Sequence, residues 1–575
     1  MSDVEPETEP SFSSLDKDNA GDAADATRRP KARSHSVVRS AGIVSVAVML
    51  SRLLGLVREV VFAGLFGASR SFANDAFVIA FRIPNLLRDL FAEGALSGAF
   101  VTVFSDYQVT KSEKEAFRLS NLVVTMLSLV LGVLVVLGII FAPQIVGVIA
   151  AGYRGDPDKF ALTVELTRIM MPFILLVALA AQAMGVLNAR DRFAVPALSS
   201  SFFNLGSIAG GVLFAVLLTD PTFSHPVQSI HESPARAIIG MAYGVLIGGF
   251  LQYALQWPSL WRAGFRYRPM LSLRDEGVRR ILRLMGPAVI GGAAVQINFM
   301  VNGYFATTIP GNGPVVWLNC AFRLMQFPIG VFGVAIATAT TPSISKSAAL
   351  AEIGDFRKTL ARSIRMTFML TIPSAVGLGV LARPIIALIY EHGVFTSRDT
   401  DHTADALAFY ALGLAGYSAI KILLPGFYAL RDARTPMMVS LLSIFTNLGM
   451  NWSLVGTFHE RGLALSVSTV ALVNFALLYA LMRRRIGRIE GKETAAGVGK
   501  ILLASAVMGA FCWAVNSVLG RISLNLGSRM ISRLFTVLVS VGVGSVVFYI
   551  AASLLRIPEL KEATTVLTRR FSRRR

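Results

Sequence analysis

Val44–Gly67 reads VSVAVMLSRLLGLVREVVFAGLFG. The run is long and apolar enough to cross a bilayer as a helix, yet Arg52, Arg58 and Glu59 stand in its middle. An arginine at the centre of a membrane helix costs roughly 2.5–3.5 kcal/mol on insertion scales. A chain that carries two of them in one span needs a place for them other than hydrocarbon.

The rest of the sequence says what surrounds that span. The chain has 575 residues, 54% hydrophobic and only 16% charged, and apolar runs of about twenty residues recur along it. A soluble protein of this length carries more charge and breaks its apolar runs sooner. The net charge of +20 is spread over short loops and forms no nucleic-acid motif, so the basic residues read as topology determinants beside anionic lipid. No nucleic-acid partner is expected. Cys320 and Cys512 both lie inside apolar runs, which indicates neither a disulfide framework nor a metal site. No HExxH, Walker or GxSxG motif is present, so the sequence predicts no cofactor, no metal and no enzyme.

Candidate spans fall at 39–66, 73–104, 117–142, 161–188, 195–218, 236–261, 279–308, 314–345, 359–382, 402–430, 435–456, 462–483, 498–520 and 530–555. Alternate loops hold the Lys/Arg excess: Arg262, Arg266, Arg268 and Arg274 after span six, then RRRIGR after span twelve. This bias places both termini in the cytoplasm. Phe81–Arg82 recurs as Phe322–Arg323, 241 residues on, and Gly185, Arg190 and Asp191 recur as Gly426, Arg431 and Asp432 at the same offset. Six spans per repeat make the halves parallel, related by an axis along the membrane normal. The expected fold is therefore an all-α polytopic membrane protein. It has about fourteen transmembrane helices in two six-helix lobes plus a terminal pair. The lobes run over residues 37–270 and 271–490, the pair over 491–556. Residues 1–36 read as a disordered cytoplasmic tail, and 557–575 as a basic one. Pro84, Pro172, Pro328 and Pro373 mark expected kinks.

Intramembrane charge is concentrated. Span two adds Asp75, Arg82, Arg88, Asp89 and Glu93, and span eight adds Arg323. Several mid-span arginines from both halves point to a water-filled cavity between lobes, with fewer carboxylates than cations. Guanidinium forks suit phosphate oxygens, so the surplus predicts an anion site at Arg58 and Arg323, with Arg52 and Arg88 beside them. Internal salt bridging between helices is the competing reading, and Arg82 fits either.

The stretches SRLLGLVRE, NDAFVIAFRIPNLLRDLFAEGALSGAFV, FRLMQFPIGVFGVAIATATTPSISK and KILLPGFYALRDARTP closely resemble the MurJ/MviN family of bacterial lipid II flippases. The superfamily of that family also holds multidrug and polysaccharide exporters. The resemblance runs from about Val37 to Arg556. It implies a multi-pass protein of the bacterial inner membrane that moves undecaprenyl-pyrophosphate-linked disaccharide-pentapeptide to the outer leaflet by alternating access. It also implies that spans thirteen and fourteen form a lipid-tail groove. The family's substrate arginines match Arg52, Arg58, Arg88 and Arg323, and its second-span aspartate and asparagine match Asp75 and Asn85; with Glu59, a carboxylate able to orient the arginines by pairing, these two are the expected supporting cavity residues. Two acidic positions near the eighth-span arginine are Phe322 and Gln326 here, which leaves the cavity more cationic. Some members bind sodium through spans seven, eleven and twelve, where Asn447 and Asn451 stand. Lacking a carboxylate, these two read better as helix-packing amides. Expected partners are lipid II, membrane lipids and cell-wall synthesis proteins. The alternatives are an exporter of another polyprenyl-linked saccharide or of organic cations, and a transport-inactive scaffold for wall synthesis. Cavity arginines argue against cations, and a scaffold would not need to bear their cost.

Overall fold

A computed structural model describes residues 30–89, 97–489, 491–522 and 528–560. The described residues are mostly helical, and no strand occurs among them. The first half holds α1 (Pro30–Phe66), α2 (Ala73–Leu87), α3 (Ser97–Thr110), α4 (Glu113–Ile140), α5 (Ala142–Ile149), α6 (Pro157–Met170), α7 (Phe173–Asn188), α8 (Ala194–Thr219), α9 (Pro226–Glu232), α10 (Pro234–Ala254) and α11 (Trp257–Arg262). The second holds α12 (Glu276–Thr308), α13 (Pro314–Pro328), α14 (Val334–Ala349), α15 (Ile353–Val380), α16 (Ala382–Ile389), α17 (Ser397–Leu412), α18 (Leu414–Ala429) and α19 (Arg434–Ile486). The terminal pair is α20 (Gly491–Ile522) and α21 (Arg529–Leu554).

Among the described residues nine helical stretches are long and apolar enough to cross a bilayer, and a tenth if α17 and α18, bent by 42°, make one span. The helices outside that set are α1, α2, α3 and α12 among the expected spans. Arg52, Arg58, Arg82 and Asn298 lie on these helices, while Arg323 lies on a stretch that passes; α2 and α3, at 15 and 14 residues, are each too short to cross alone. The 53 residues of α19 would run about 80 Å if straight, far beyond one bilayer thickness. A non-helical residue, His459 at φ 50 and ψ −128, breaks it, which is where spans eleven and twelve were expected to part.

Three of the four prolines stand at irregularities. Pro84 precedes a π turn at residues 88–89, Pro328 leads into the π-helical turn Ile329–Gly333, and Pro172 separates α6 from α7. Pro373 stays inside a continuous α15, so a proline alone does not break a span.

The repeat is visible in space. The Val316 amide donates to Asp75 across a separation of 241 residues, the offset of the Phe–Arg pairs. Equivalent positions of parallel repeats meet only on the axis relating them, so Asp75 sits at that axis. After spans four and ten, a left-handed residue turns the chain in both halves, Asp191 and Arg431. These are 240 apart (431 − 191), so the turn slips one residue against the flanking motif.

Two boundaries differ from expectation. Helix α1 begins at Pro30, inside the segment expected to be tail; proline suits a first helical position, where its missing N–H costs no hydrogen bond. Ile557 and Glu559, expected in the basic tail, are buried, since Glu559 is held by Arg365 at 2.7 Å. Residues 1–29 and 561–575 lie outside the described residues.

The largest apolar core joins both halves at one end of the molecule: Ile79, Ile83 and Tyr153 pack with Val315, Trp317, Met325 and Phe395. That end carries the loops at 67–72, 309–313 and 390–396, and is called the closed end below. At the other end, the start of α12 is tied to the first half through Arg280–Asp106 and Lys111–Glu276 at 3.7 Å.

Candidate functional site: an arginine cluster beneath a closed end

Glu59 is the hub of the cluster. Its Oε1 takes an Arg58 nitrogen at 3.1 Å and an Arg323 nitrogen at 2.8 Å. Its Oε2 accepts from the Asn319 side chain at 3.3 Å. Arg58 and Glu59 come from α1, Asn319 and Arg323 from α13, so one carboxylate bridges the two halves. Arg58 is buried, with the rings of Phe81 and Phe203 at 5.7 and 5.3 Å from its guanidinium carbon. Cation–π attraction offsets part of its desolvation. The Arg323 side chain stays 37% exposed, so its fork is open to a ligand.

The other cations gather around this hub. The charges of Arg323 and Arg88 both act on Arg58. Arg88 pairs with the neighbouring Asp89 at 2.8 Å, whose second oxygen lies 3.5 Å from the Gln296 amide. Arg52 is exposed and lies across the halves against Gly330, where a Cβ would stand 2.1 Å from a guanidinium nitrogen. Arg82 reaches α12 in the same way at Gly303. Asn85 is half-buried, and its carbonyl accepts the Arg88 amide. Phe322 packs edge-on against Phe299 and Tyr410. Glu93 lies outside the described residues.

Asp75 does not join them. It is buried at the closed end, where its oxygens accept from Lys159 Nζ at 3.0 Å, the Gly313 amide at 2.8 Å and the Val316 amide at 3.1 Å. Helix α13 has glycine at its N-cap and no capping side chain of its own. Asp75 supplies that cap from the other half, satisfying two orphan donors and facing the positive end of the helix dipole. Lys159 adds contacts to the Gly311 carbonyl and Asn312 side chain. An amide partner 238 residues away leaves no trace in local sequence, and only the acidic residue opening span two hinted at the arrangement.

Further bonds close the same end. The Ser69 amide donates to Asp399 at 3.0 Å, and Asp399 also accepts from the Trp317 indole at 2.9 Å. The Val394 amide donates to the Gly64 carbonyl at 3.0 Å. Gly393, at φ +58, lets these backbones approach: a Cβ there would lie 2.1 Å from the Gly64 oxygen. With Asp75 engaged here, Glu59 and Asp89 are left against Arg52, Arg58, Arg82, Arg88 and Arg323. Among the described members of the cluster, five positive charges less two negative leaves a surplus of three.

Asn447 and Asn451 form an amide ladder. Their side chains donate to Asn298 and Asn302 of α12 at 2.9 and 2.8 Å, and Asn451 bonds Asn447 at 2.7 Å. This is the helix-packing role expected for them. No group of three or more His, Cys, Asp or Glu suited to a metal occurs among the described residues.

The family described as lipid II flippase MurJ matches residues 62–527. The chain belongs to the MurJ family. A probable lipid II flippase MurJ of Vibrio cholerae is 33% identical over 542 residues, 92% of this chain and 99% of that protein. One of Buchnera aphidicola is 34% identical over 493 residues, covering 86% and 93%. The lipid II flippase MurJ of Burkholderia cenocepacia is 36% identical over 446 residues, covering 77% and 83%. A solved structure titled lipid II flippase MurJ in an inward closed conformation superposes with a TM-score of 0.70 at 27% identity, covering 89% of this chain and 98% of that one. An inward-facing multidrug MATE transporter of the MOP superfamily shares the fold at 15% identity, with a TM-score of 0.62 over 78% and 99%. A MurJ-family chain with this many apolar helices is a multi-pass protein of the bacterial inner membrane and a transporter in kind.

Proposed function

We propose that the chain flips lipid II, holding its pyrophosphate at Arg58, Arg323, Arg88 and Arg52 while the polyprenyl tail stays in hydrocarbon. The observation that carries this reading is the Glu59 hub: two guanidiniums from opposite halves share one carboxylate and remain one charge in excess. A pyrophosphate diester brings about two negative charges to a surplus of three. It can therefore bind across the halves and draw them together, which a neutral or cationic ligand would not do.

The Lys/Arg-rich loops put both termini in the cytoplasm, which turns the closed end outward. The lipid then enters from the cytoplasmic leaflet, and the Asp75, Asp399 and Gly393 contacts must part for release outside. The terminal pair α20 and α21 serves as the groove for the distal tail. Glu59 acts as a positioning residue, fixing both forks before the ligand arrives.

Complementation of a depleted strain tests the assignment. Arg58→Ala and Arg323→Ala should fail to support growth while reaching normal membrane levels. Normal growth with either variant would remove that residue from the site.

A further inference from the structure

Arg533, in the second turn of α21, reaches the second half at the closed end. One terminal nitrogen of its guanidinium meets Glu391 Oε1, and the other donates to the Ala387 carbonyl at 3.1 Å and the Glu391 carbonyl at 3.4 Å. Ala387 stands in the last turn of α16, where carbonyls have no partner inside the helix, so Arg533 caps that helix from outside the repeat. The second Glu391 oxygen accepts from the Thr400 hydroxyl of α17 at 2.8 Å. One fork therefore ties the start of α21 to the end of α16 and, through Glu391, to α17.

Directly after Glu391 the chain meets the first half. Gly393, at φ +58, is followed by the Val394 amide, which donates to the Gly64 carbonyl at 3.0 Å. Gly67, at φ +63, lies against Val394 in turn, where a Cβ would stand 2.8 Å from its carbonyl oxygen. Both ends of this loop are already anchored, since Tyr390 and Phe395 are buried with their rings 6.0 Å apart. Losing the Arg533 contacts should therefore loosen the stretch between those rings without unfolding it.

We propose that Arg533 is a positioning residue for the outer gate, holding loop 390–396 in the shape that docks on Gly64 and Gly67. The proposal rests on the reading above that the closed end faces outward and must part for release. Helix α21 packs on α16 of the second half, so the Arg533 contacts lie on one side of the parting halves and act by preorganisation. A loop held in its docking shape loses less conformational freedom when the halves close. The helix assigned above to the tail groove thus also sets the gate.

The test uses the full chain in cells, with Cys320 and Cys512 replaced and Val315, buried in the first turn of α13, changed to cysteine. An impermeant maleimide added outside reports opening. An ion pair with side chains 31% and 19% exposed shifts an equilibrium by about fivefold at most, so Arg533→Gln should speed labelling by about that factor. Arg533→Lys should fall between, because an ammonium cannot serve a carboxylate and two carbonyls as the fork does. Gly393→Ala puts a Cβ 2.1 Å from the Gly64 oxygen and undocks the loop itself, so adding Arg533→Gln to it should change nothing further. Parent-like labelling of Arg533→Gln at normal membrane abundance, or the same increase on top of Gly393→Ala, would overturn the proposal. Should Arg533→Gln fail to accumulate, Arg533→Lys decides alone: faster labelling than the parent supports the proposal and parent-like labelling overturns it. Asp75→Asn, whose amide partners lie across the halves, is measured alongside. If it labels faster and the Arg533 variants do not, only the role of Arg533 is refuted. If none labels faster, the gate reading falls with it.

Discussion

Asp75→Asn should open the closed end without removing the fold. Asp75 and Lys159 both belong to the first half, so their pair survives opening, whereas the bonds to the Gly313 and Val316 amides cross the halves. Asparagine keeps an acceptor oxygen but loses the charge. A hydrogen bond to a charged group contributes about 1.5–3 kcal/mol and a neutral one about 0.5–1.5, so two weakened bonds cost closure roughly 2–3 kcal/mol. At tenfold per 1.4 kcal/mol, the open-to-closed ratio rises roughly 30- to 150-fold. Val315 is 1% exposed in the first turn of α13 and makes a conservative cysteine reporter once Cys320 and Cys512, both buried and free, are replaced. An impermeant maleimide added outside should label Val315→Cys slowly in the parent and much faster with Asp75→Asn. Equal labelling at equal membrane abundance would refute the lock, and labelling only from the inside would reverse its orientation.

Arg323→Lys should restore only part of the growth lost in Arg323→Ala, because an ammonium lacks the planar fork that reaches Glu59 and a phosphate together; full rescue would reduce Arg323 to a point charge. Deleting residues 1–29 should leave growth unchanged, while cutting to residue 36 removes the start of α1 and should lower membrane abundance; lost viability from the shorter deletion would reveal a function in that segment. Collapsing the membrane potential with the proton gradient retained should hold the empty carrier open to the outside. Moving one net positive charge inward through 100 mV yields about 2.3 kcal/mol, and the empty cluster carries several. Unchanged Val315→Cys labelling after depolarisation would leave an ion gradient or substrate concentration as the driver.

What the sequence disclosed follows from how far each signal reaches. Arg52, Arg58 and Arg323 were legible because a charge inside an apolar run is conspicuous by its cost. The two halves were legible from a shared offset of side-chain motifs. The sharing of Glu59 between Arg58 and Arg323 was not, since nothing local pairs residue 59 with residue 323. Asp75 was placed with the cavity by its sequence neighbourhood, yet its partners are backbone amides of another span, and any residue type supplies those. The start of α1 was misjudged because polar composition reads as tail, although a helix continues through it into the bilayer-spanning run.

The central claim is that these arginines carry a pyrophosphate lipid from the inner to the outer leaflet. Its most direct test is depletion of the protein in its native bacterium, followed by measurement of lipid II in each leaflet with an impermeant reagent. The account predicts accumulation in the cytoplasmic leaflet, reversed by the parent chain and not by Arg58→Ala. An unchanged leaflet distribution after depletion would contradict it.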